Sequence, residues 1–285
     1  MSEIIKGVLY LTATPIGNLS DISARALETL NSVDFIAAED TRITRKLLEH
    51  YKIKKPLLSY YHHNSRSSGE KILSRIINGE NCALVTDAGM PGISDPGEDL
   101  VRLCADNDIQ MIVIPGPCAA ISALALSGLP SGRFVFEGFL PVDKKKRKQR
   151  FDELINEKRT MIFYEAPHKL LRTLKDMFNV FGDRSASVSR EMTKIYEETI
   201  RMTLSGFIDL YNEKIPKGEF VIILEGVAES DDNDPDSLLK TASSIALSYI
   251  ENGMTGRDAV KKAAEETGCS RNVLYKMIIS NQSLP

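Results

Sequence analysis

One stretch of the sequence, Cys82-Ala83-Leu84-Val85-Thr86-Asp87-Ala88-Gly89-Met90-Pro91-Gly92-Ile93-Ser94-Asp95-Pro96-Gly97, joins a short apolar run to a loop rich in glycine and proline. The run Cys82–Thr86 predicts a buried strand, and a helical pattern, Glu98–Cys104, follows the loop. A stiff, bare backbone at the carboxyl end of a strand is where open α/β sheets bind ligands. The alternative is a tight connecting turn without a ligand. The loop matches neither G-x-G-x-x-G nor G-x-x-x-x-G-K-[ST], so no dinucleotide or phosphate loop is indicated.

A second loop of this kind, Ile114–Ala120, also follows an apolar run and opens a helix of small residues whose free N–H groups could face a ligand. Elsewhere, apolar runs alternate with helical patterns such as Thr41–His50 and His168–Phe178. This alternation predicts parallel sheets of the α/β class. The predicted strands are Val8–Ala13, Val33–Ala38, Cys82–Thr86, Met111–Ile114, Met161–Tyr164 and Phe220–Leu224.

Two segments indicate domain boundaries. Gly128–Arg150 is rich in glycine, proline and basic residues, and Glu229–Asp236 carries five acids around a proline and is typical of a solvated linker. We therefore predict an N-terminal α/β domain over residues 1–129 and a second α/β domain over 130–227. A helical tail over 236–285, two short helices joined by Gly-Cys-Ser, resembles a helix-turn-helix, with an ordinary helical hairpin as the alternative.

Composition limits the functional classes. The net charge of −3 excludes a wholly basic nucleic-acid binder, so any RNA contact must come from local patches. The four cysteines form no C-x-x-C pair and no zinc spacing, so no metal site is expected. We find no signal peptide and no apolar run long enough to span a membrane. These features predict a cytoplasmic protein with no membrane contact.

Seven motifs follow one another over roughly residues 7–227: Leu9–Leu19, Ala38–Arg42, Asp87–Gly97, Pro115–Pro117, Phe163–His168, Arg190–Lys194 and Gly218–Val221. Together they resemble the tetrapyrrole-methylase fold family, whose members are class III S-adenosylmethionine methyltransferases. The resemblance is closest to the branch of small-subunit ribosomal RNA cytidine 2′-O-methyltransferases. Met90 departs from the wider family, where many members carry aspartate in a Gly-Asp-Pro triplet, which argues against a tetrapyrrole substrate.

The resemblance implies two α/β domains with a ligand cleft between them, S-adenosylmethionine as cofactor, and a homodimer. It also implies cofactor contacts in the loops and at strand ends, with Asp87 as a nearby acid. Carried over by position, the cofactor residues are Pro15, Asp87, Gly89, Met90, Pro91, Ile93, Ser94, Cys118, Ala119, Tyr164, Glu165, Phe220 and Val221.

Removing the proton of a ribose hydroxyl calls for a general base or a nearby cation. Glu39, Asp40 and Arg42 follow a predicted strand, where acids point into the cleft and the arginine could hold a phosphate. Their alternative role is a helix N-terminal box. Lys194 could assist deprotonation or bind phosphate, although charged loop residues are more often solvated ion pairs. No single base can be named from these clusters.

RNA contacts are predicted in three places. His62 and His63 follow two tyrosines and could stack on a flipped base, with a polar strand end as the alternative. Arg271 would be exposed on the last helix of the tail. The basic run at the domain boundary could bind phosphates, or it could be a solvated helix start; its proposed contacts are Lys144, Lys145, Lys146, Arg147 and Lys148.

The resemblance implies an enzyme that methylates a cytidine 2′-hydroxyl in small-subunit ribosomal RNA, free or within the 30S subunit, and the candidate RNA contacts support RNA as the acceptor. One alternative is a methyltransferase acting on a tetrapyrrole or another small molecule. A different class is a helix-turn-helix regulator that binds DNA through its tail, but one small tail with nearly balanced charge is a poor DNA anchor.

Overall fold

The Gly/Pro loops lie at one edge of a parallel sheet, as predicted. A computed structural model describes residues 6–61, 64–227 and 235–281. Within those residues the first sheet has five strands in the order β3-β2-β4-β1-β5, and every neighbouring pair is parallel. The strands are β1 (Val8–Thr12), β2 (Phe35–Ala38), β3 (Leu57–Ser59), β4 (Cys82–Val85) and β5 (Gln110–Ile114).

Helices cover this sheet because their apolar faces bury against it. On one face, Ile72 and Leu100 pack with Leu9 and Leu84 of the central strands. On the other face, Leu30 and Leu48 are fully or almost fully buried. These helices are α1 (Ala24–Ser32), α2 (Thr41–His50), α3 (Ser65–Ile77) and α4 (Glu98–Asp106), with a short 3-10 turn at Leu19–Asp21. The next helix, α5 (Ala119–Ser127), packs instead against Ile162 and Ile223 of the second sheet.

The second sheet is mixed, so the prediction of parallel sheets is wrong here. As far as the described residues go, its order is β6-β7-β10-β8-β9, and only the β6–β7 pair is parallel. The loop between β8 and β9 is too short for a crossover helix, so that pair must run antiparallel. The strands are β6 (Phe134–Phe139), β7 (Thr160–Glu165), β8 (Ser185–Arg190), β9 (Glu198–Thr203) and β10 (Phe220–Leu224).

The predicted boundary segment Gly128–Arg150 turns out to be largely regular structure. It contains the strand β6, and its basic run begins a helix that Asp143 caps by accepting the backbone N–H groups of Lys145 and Lys146. The helices of this half of the chain are α6 (Lys144–Leu154), α7 (Pro167–Phe181) and α8 (Leu204–Glu213).

The chain divides into two compact units, residues 1–226 and 227–285. Both sheets lie in the first unit, and the domain boundary at residue 129 stays a prediction. The second unit is helical: Gly268, with φ of 72°, ends its middle helix where the sequence predicts a stop. Ala246, Val260 and Leu274 meet in its small core. Its helices are α9 (Pro235–Glu251), α10 (Gly256–Thr267) and α11 (Arg271–Asn281).

No helix among the described residues is both long and apolar enough to cross a bilayer.

Candidate active site

The loops that follow β1 and β4 are joined directly by their backbones. Thr14 and Gly89 exchange two hydrogen bonds, with N···O distances of 2.9 and 3.1 Å. Gly89 has φ of 88°, which a residue with a side chain rarely adopts, and a Cβ there would lie 3.4 Å from Ile16. The glycine thus lets two loops meet at the carboxyl edge of the first sheet.

A cavity opens beside this junction, between the loops of the first sheet and the strand ends of the second. We call it the main cavity. The structure brings ten of the predicted site residues to it: Gly89, Met90, Ile93, Ser94, Cys118, Ala119, Tyr164, Lys194, Phe220 and Val221. Six further residues line it that the sequence did not single out: Ile16, Ala88, Asp95, Phe139, Met192 and Glu219.

Four predicted cofactor residues lie elsewhere. Pro15 and Asp87 line a neighbouring cavity beside α2, and Pro91 is buried. Glu165 is also buried; its carboxylate accepts a hydrogen bond of 2.5 Å from the hydroxyl of Thr173 on α7. The side chain of Glu165 therefore belongs to the packing of α7 on the sheet rather than to the main cavity.

Asp95 is the most informative residue that the sequence analysis missed. Burial, reinforced by the negative charge of Glu39, raises the pKa of the Asp95 carboxyl to about 6. The preceding residue, Ser94, has φ of 66°, and such strain in a non-glycine residue is often found at functional sites. Asp95 stands in the quoted Gly/Pro loop, so its position was the available signal, but nothing in the pattern assigned it a role.

A second cavity lies on the other side of the same loop. In the part of the chain that the structure describes, Ser94 and Asp95 line both cavities. We call this one the acidic cavity because four carboxylates line it. Its lining is Glu39, Tyr60, Tyr61, Ser65, Gly92, Ser94, Asp95, Pro96, Gly97, Glu98 and Asp99.

Glu39 and Asp40 follow β2, as predicted, and they differ in surroundings. The hydroxyl of Thr86 donates to the Glu39 carboxylate at 2.6 Å, which fixes that side chain across the ends of two strands. Asp40 caps α2, and its hydrogen bonds to Arg42 lower the pKa of its carboxyl to about 2. A carboxylate with so low a pKa is a poor proton acceptor, so Asp40 fits the alternative role at the N-terminus of a helix rather than the role of a general base. Arg42 pairs with Asp40 at 2.6 Å while most of its side chain is exposed.

Lys194 reaches the main cavity from the loop between β8 and β9. Its ammonium donates to Glu191 and Glu219, each at 2.9 Å. Burial lowers the pKa of Lys194, but these two hydrogen bonds outweigh burial and leave the pKa above its ordinary value. Lys194 is therefore a fixed cation rather than a base. Gly17 presses against it, since a Cβ on Gly17 would lie 2.4 Å from the Lys194 Cγ.

The aromatic wall of the main cavity comes from the second sheet. Tyr164 packs edge-on against Phe136, and Phe139 lies on its other side. The Tyr164 hydroxyl accepts a hydrogen bond of 3.2 Å from the backbone N–H of Ala120. Burial raises the pKa of Tyr164 to about 12, so its hydroxyl stays protonated. This wall offers apolar surface to a planar group.

The basic run divides into two kinds of residue on α6. Lys144, Lys145, Lys146 and Lys148 are exposed, as a phosphate-binding surface requires. Arg147 is a correction to the prediction: its side chain is only 8% exposed. Its guanidinium donates to Asp176 and to the hydroxyl of Thr173, both at 2.9 Å. Arg147 therefore faces the protein interior because helical spacing turns it away from its lysine neighbours.

The other predicted RNA contacts are placed unequally. His62 and His63 lie outside the described residues. Of the tyrosines before them, Tyr60 is buried and Tyr61 is 43% exposed. Arg271 begins α11 and is exposed.

The main cavity thus combines an aromatic wall, two carboxylates, a fixed lysine and the start of α5, which Cys118 leaves without a side-chain cap. The N–H of Ala120 is already bonded to Tyr164, so at this helix start it is the N–H of Ala119 that could face an anion. Carboxylates suit a positive centre. Such a cavity can hold a zwitterionic ligand that also carries a planar ring.

Comparisons with known proteins agree with this geometry. The family model of Tetrapyrrole (Corrin/Porphyrin) Methylases matches residues 8–207. A relative from Synechocystis sp., called ribosomal RNA small subunit methyltransferase I, is 46% identical over 95% of this chain and 97% of its own. The protein of the same name from Bacillus subtilis is 45% identical over 94% and 93%.

Among solved structures, a uroporphyrin-III C-methyl transferase from Thermus thermophilus, complexed with S-adenosylhomocysteine, has a TM-score of 0.54. The match covers 78% of this chain and 98% of that one at 14% identity, so it shows a shared fold.

Proposed function

The chain belongs to the tetrapyrrole methylase family, and we propose that it transfers a methyl group from S-adenosylmethionine to a cytidine 2′-hydroxyl in small-subunit ribosomal RNA. One observation carries the proposal: relatives called ribosomal RNA small subunit methyltransferase are about as long as this chain and match it almost end to end. The predicted family and enzyme class are confirmed by these matches. The cytidine and its 2′-hydroxyl are our proposal.

The residues of the main cavity fit S-adenosylmethionine. Asp95 and Glu219 would face its positive groups, and the uncapped start of α5 at Ala119 would face its carboxylate. Phe139 and Val221 would cover its apolar parts. The three kinds of contact match the three kinds of group in the cofactor.

When bound, S-adenosylmethionine supplies the methyl carbon: the sulfur–carbon bond breaks with its electron pair going to sulfur, a carbon–oxygen bond forms, and the hydroxyl proton must leave. Asp95 is placed to take that proton, because it lines both cavities. With a pKa of about 6 its carboxyl is ionised at neutral pH yet more basic than an ordinary aspartate. Lys194, held by two carboxylates, would position neighbouring groups as a fixed cation.

The exposed lysines of α6 support RNA as the acceptor. Lys144, Lys145, Lys146 and Lys148 form a local positive surface on a chain whose net charge is −3. Phosphates are attracted to such a surface regardless of base sequence. We propose that it holds the RNA backbone, and that Arg271 adds a contact from the tail.

The test is transfer of labelled methyl from S-adenosylmethionine to three acceptors: 30S subunits, naked small-subunit RNA and DNA. Subunits or RNA from a strain that lacks this protein should take up label, and mapping should place it on the ribose of one cytidine. Label on a base, or on a uridine, would refute the 2′-O-cytidine proposal. Label on none of the acceptors would refute RNA methylation and favour a small-molecule substrate.

We further propose that the protein acts in the cytoplasm, where ribosomal subunits are assembled, and that it is a homodimer. Three exposed apolar side chains support a partner surface, Val113 on the edge strand β5 and Ile121 and Leu126 on α5, each 42–51% exposed. Analytical ultracentrifugation should give twice the 31.6 kDa of one chain. A single species of one chain's mass at micromolar concentration would refute the dimer.

A further inference from the structure

The acidic cavity has no part in holding the cofactor, yet it shares Ser94 and Asp95 with the main cavity. We propose that it receives the base of the target nucleotide and selects cytosine through the carboxylate of Asp99. This inference rests on the proposed function, because it places the acceptor nucleoside beside the methyl donor.

The shape of the acidic cavity suits a planar ring. Gly97 comes so close to Gly92 that a Cβ on Gly97 would lie 2.9 Å from the Gly92 backbone nitrogen. Two loop segments therefore lie against each other without side chains between them and leave a bare backbone surface. Tyr60 and Tyr61 line the same cavity. Aromatic side chains beside bare backbone form the kind of slot in which an unstacked base is held.

Three of the four carboxylates already have other partners or roles. Glu39 accepts from Thr86 at 2.6 Å, and Glu98 pairs with Arg102 at 2.9 Å. Asp95 faces both cavities. As far as the described residues go, Asp99 accepts one weak hydrogen bond, of 3.3 Å, from the hydroxyl of Ser65. Asp99 is therefore the carboxylate best able to accept a hydrogen bond from a ligand.

The polar groups around Asp99 favour cytosine over uracil. The exocyclic amino group of cytosine donates, and a carboxylate accepts from it. Uracil presents a carbonyl oxygen at that position, which a carboxylate repels. Tyr60 is 1% exposed; its hydroxyl lies beside the backbone N–H of Leu100, and the hydroxyl's own proton has no acceptor among the described residues. A buried hydroxyl proton without an acceptor is costly, and a carbonyl on the base would satisfy it.

Charge around the cavity is arranged to admit a base while keeping phosphate outside. Arg66 follows Ser65, which lines the acidic cavity, and the Arg66 side chain is 96% exposed. This exposed cation would attract the negative RNA backbone, while the carboxylates that line the cavity would repel phosphate and accept the neutral base.

The experiment measures binding of 5′-CMP and 5′-UMP to the full chain saturated with S-adenosylhomocysteine, by saturation-transfer NMR titration. We expect CMP to bind at least about fivefold more tightly than UMP. In Asp99→Asn the ratio should fall toward one, because a carboxamide can accept from cytosine or donate to uracil. Asp106→Asn, at the far end of the same helix, is the matched control and should keep the ratio.

Three results would overturn the inference: equal affinities for CMP and UMP, no binding of either nucleotide, or a CMP preference that survives Asp99→Asn. Unchanged affinity for S-adenosylhomocysteine in Asp99→Asn would show that the variant is folded. The proposed function fails separately, if a CMP-selective protein transfers no methyl group to ribosomal RNA.

Discussion

Replacing Arg147 tests whether the basic run is one functional surface or two kinds of residue. The guanidinium of Arg147 joins Asp176 to Thr173, and the Thr173 hydroxyl in turn donates to the buried Glu165. Arg147 also lies over the ring of Phe151 at 5.2 Å. Arg147→Ala would remove the nearer of two guanidinium groups that pair with Asp176, since Arg172 lies 3.9 Å from the same carboxylate. It would also remove a donor to the buried Thr173 hydroxyl.

The magnitude follows from burial. Breaking a buried ion pair by removing one partner costs about 3–5 kcal/mol. Asp176 is one-third exposed and keeps Arg172 at 3.9 Å, so we expect the lower end, about 3 kcal/mol, in the free energy of unfolding. Lys148→Ala, next to it on the exposed face of α6, should change stability by less than about 0.5 kcal/mol.

The assay is urea unfolding of both variants beside the unchanged protein, followed by RNA affinity under conditions where all three are folded. Arg147→Ala should lose stability and keep its RNA affinity, and Lys148→Ala should do the reverse. If Arg147→Ala were as stable as the unchanged protein but bound RNA poorly, the interior position of Arg147 would not describe the protein in solution.

Three other predictions concern the site. Replacing Lys144, Lys145 and Lys146 with alanine should weaken RNA binding and reduce the slope of log affinity against log salt concentration by roughly the number of lost phosphate contacts. An unchanged slope would refute the proposal that these lysines bind RNA. Asp95→Asn should slow methyl transfer and abolish the rise in rate through about pH 6. Asp95→Asn should also stabilise the fold near pH 8. The pKa of Asp95 is about 6 in the folded protein and 3.8 ordinarily, so the unchanged protein loses stability as pH rises from about 4 to about 6. A variant that is less stable than the unchanged protein in urea titrations at pH 8 would contradict this. Gly17→Ala should displace Lys194 and weaken S-adenosylhomocysteine binding, measured by calorimetry. Gly132→Ala is the control, because a Cβ at Gly132 would meet open space. Equal affinities in the two variants would count against the close contact between Gly17 and Lys194.

The first sheet was predictable because its central strands, β1, β2 and β4, are largely buried runs separated by helices. The predicted run Val33–Ala38 contains β2, and Phe220–Leu224 coincides with β10. The three-residue β3 is too short to leave a pattern, and β9 has mostly half-exposed residues. Periodicity gives no pairing direction, so the antiparallel strands of the second sheet could not be foreseen.

The site residues that lie in the Gly/Pro loops could be predicted from the sequence, whereas the partners of charged side chains could not. Gly89 and Ser94 line the main cavity because the loop itself does. Glu165 was predicted from the family resemblance and Arg147 from the basic run, yet the two share a hydrogen-bond partner in Thr173, 26 residues from Arg147 along the chain. Asp95, by contrast, is a candidate site residue that the sequence did not indicate, because the burial that raises its pKa comes from the fold.

The loop segment Ser94–Asp95 is a single wall between two cavities, and this has a consequence for the order of events. A ligand that fixes the wall from one side spares the second ligand part of the cost of ordering it. By thermodynamic linkage this coupling is reciprocal: the nucleotide must tighten cofactor binding by the same factor as the cofactor tightens nucleotide binding. We therefore expect the spent cofactor and the methylated nucleoside to hold each other in place after transfer, so that departure of the first product sets the pace of the next turnover.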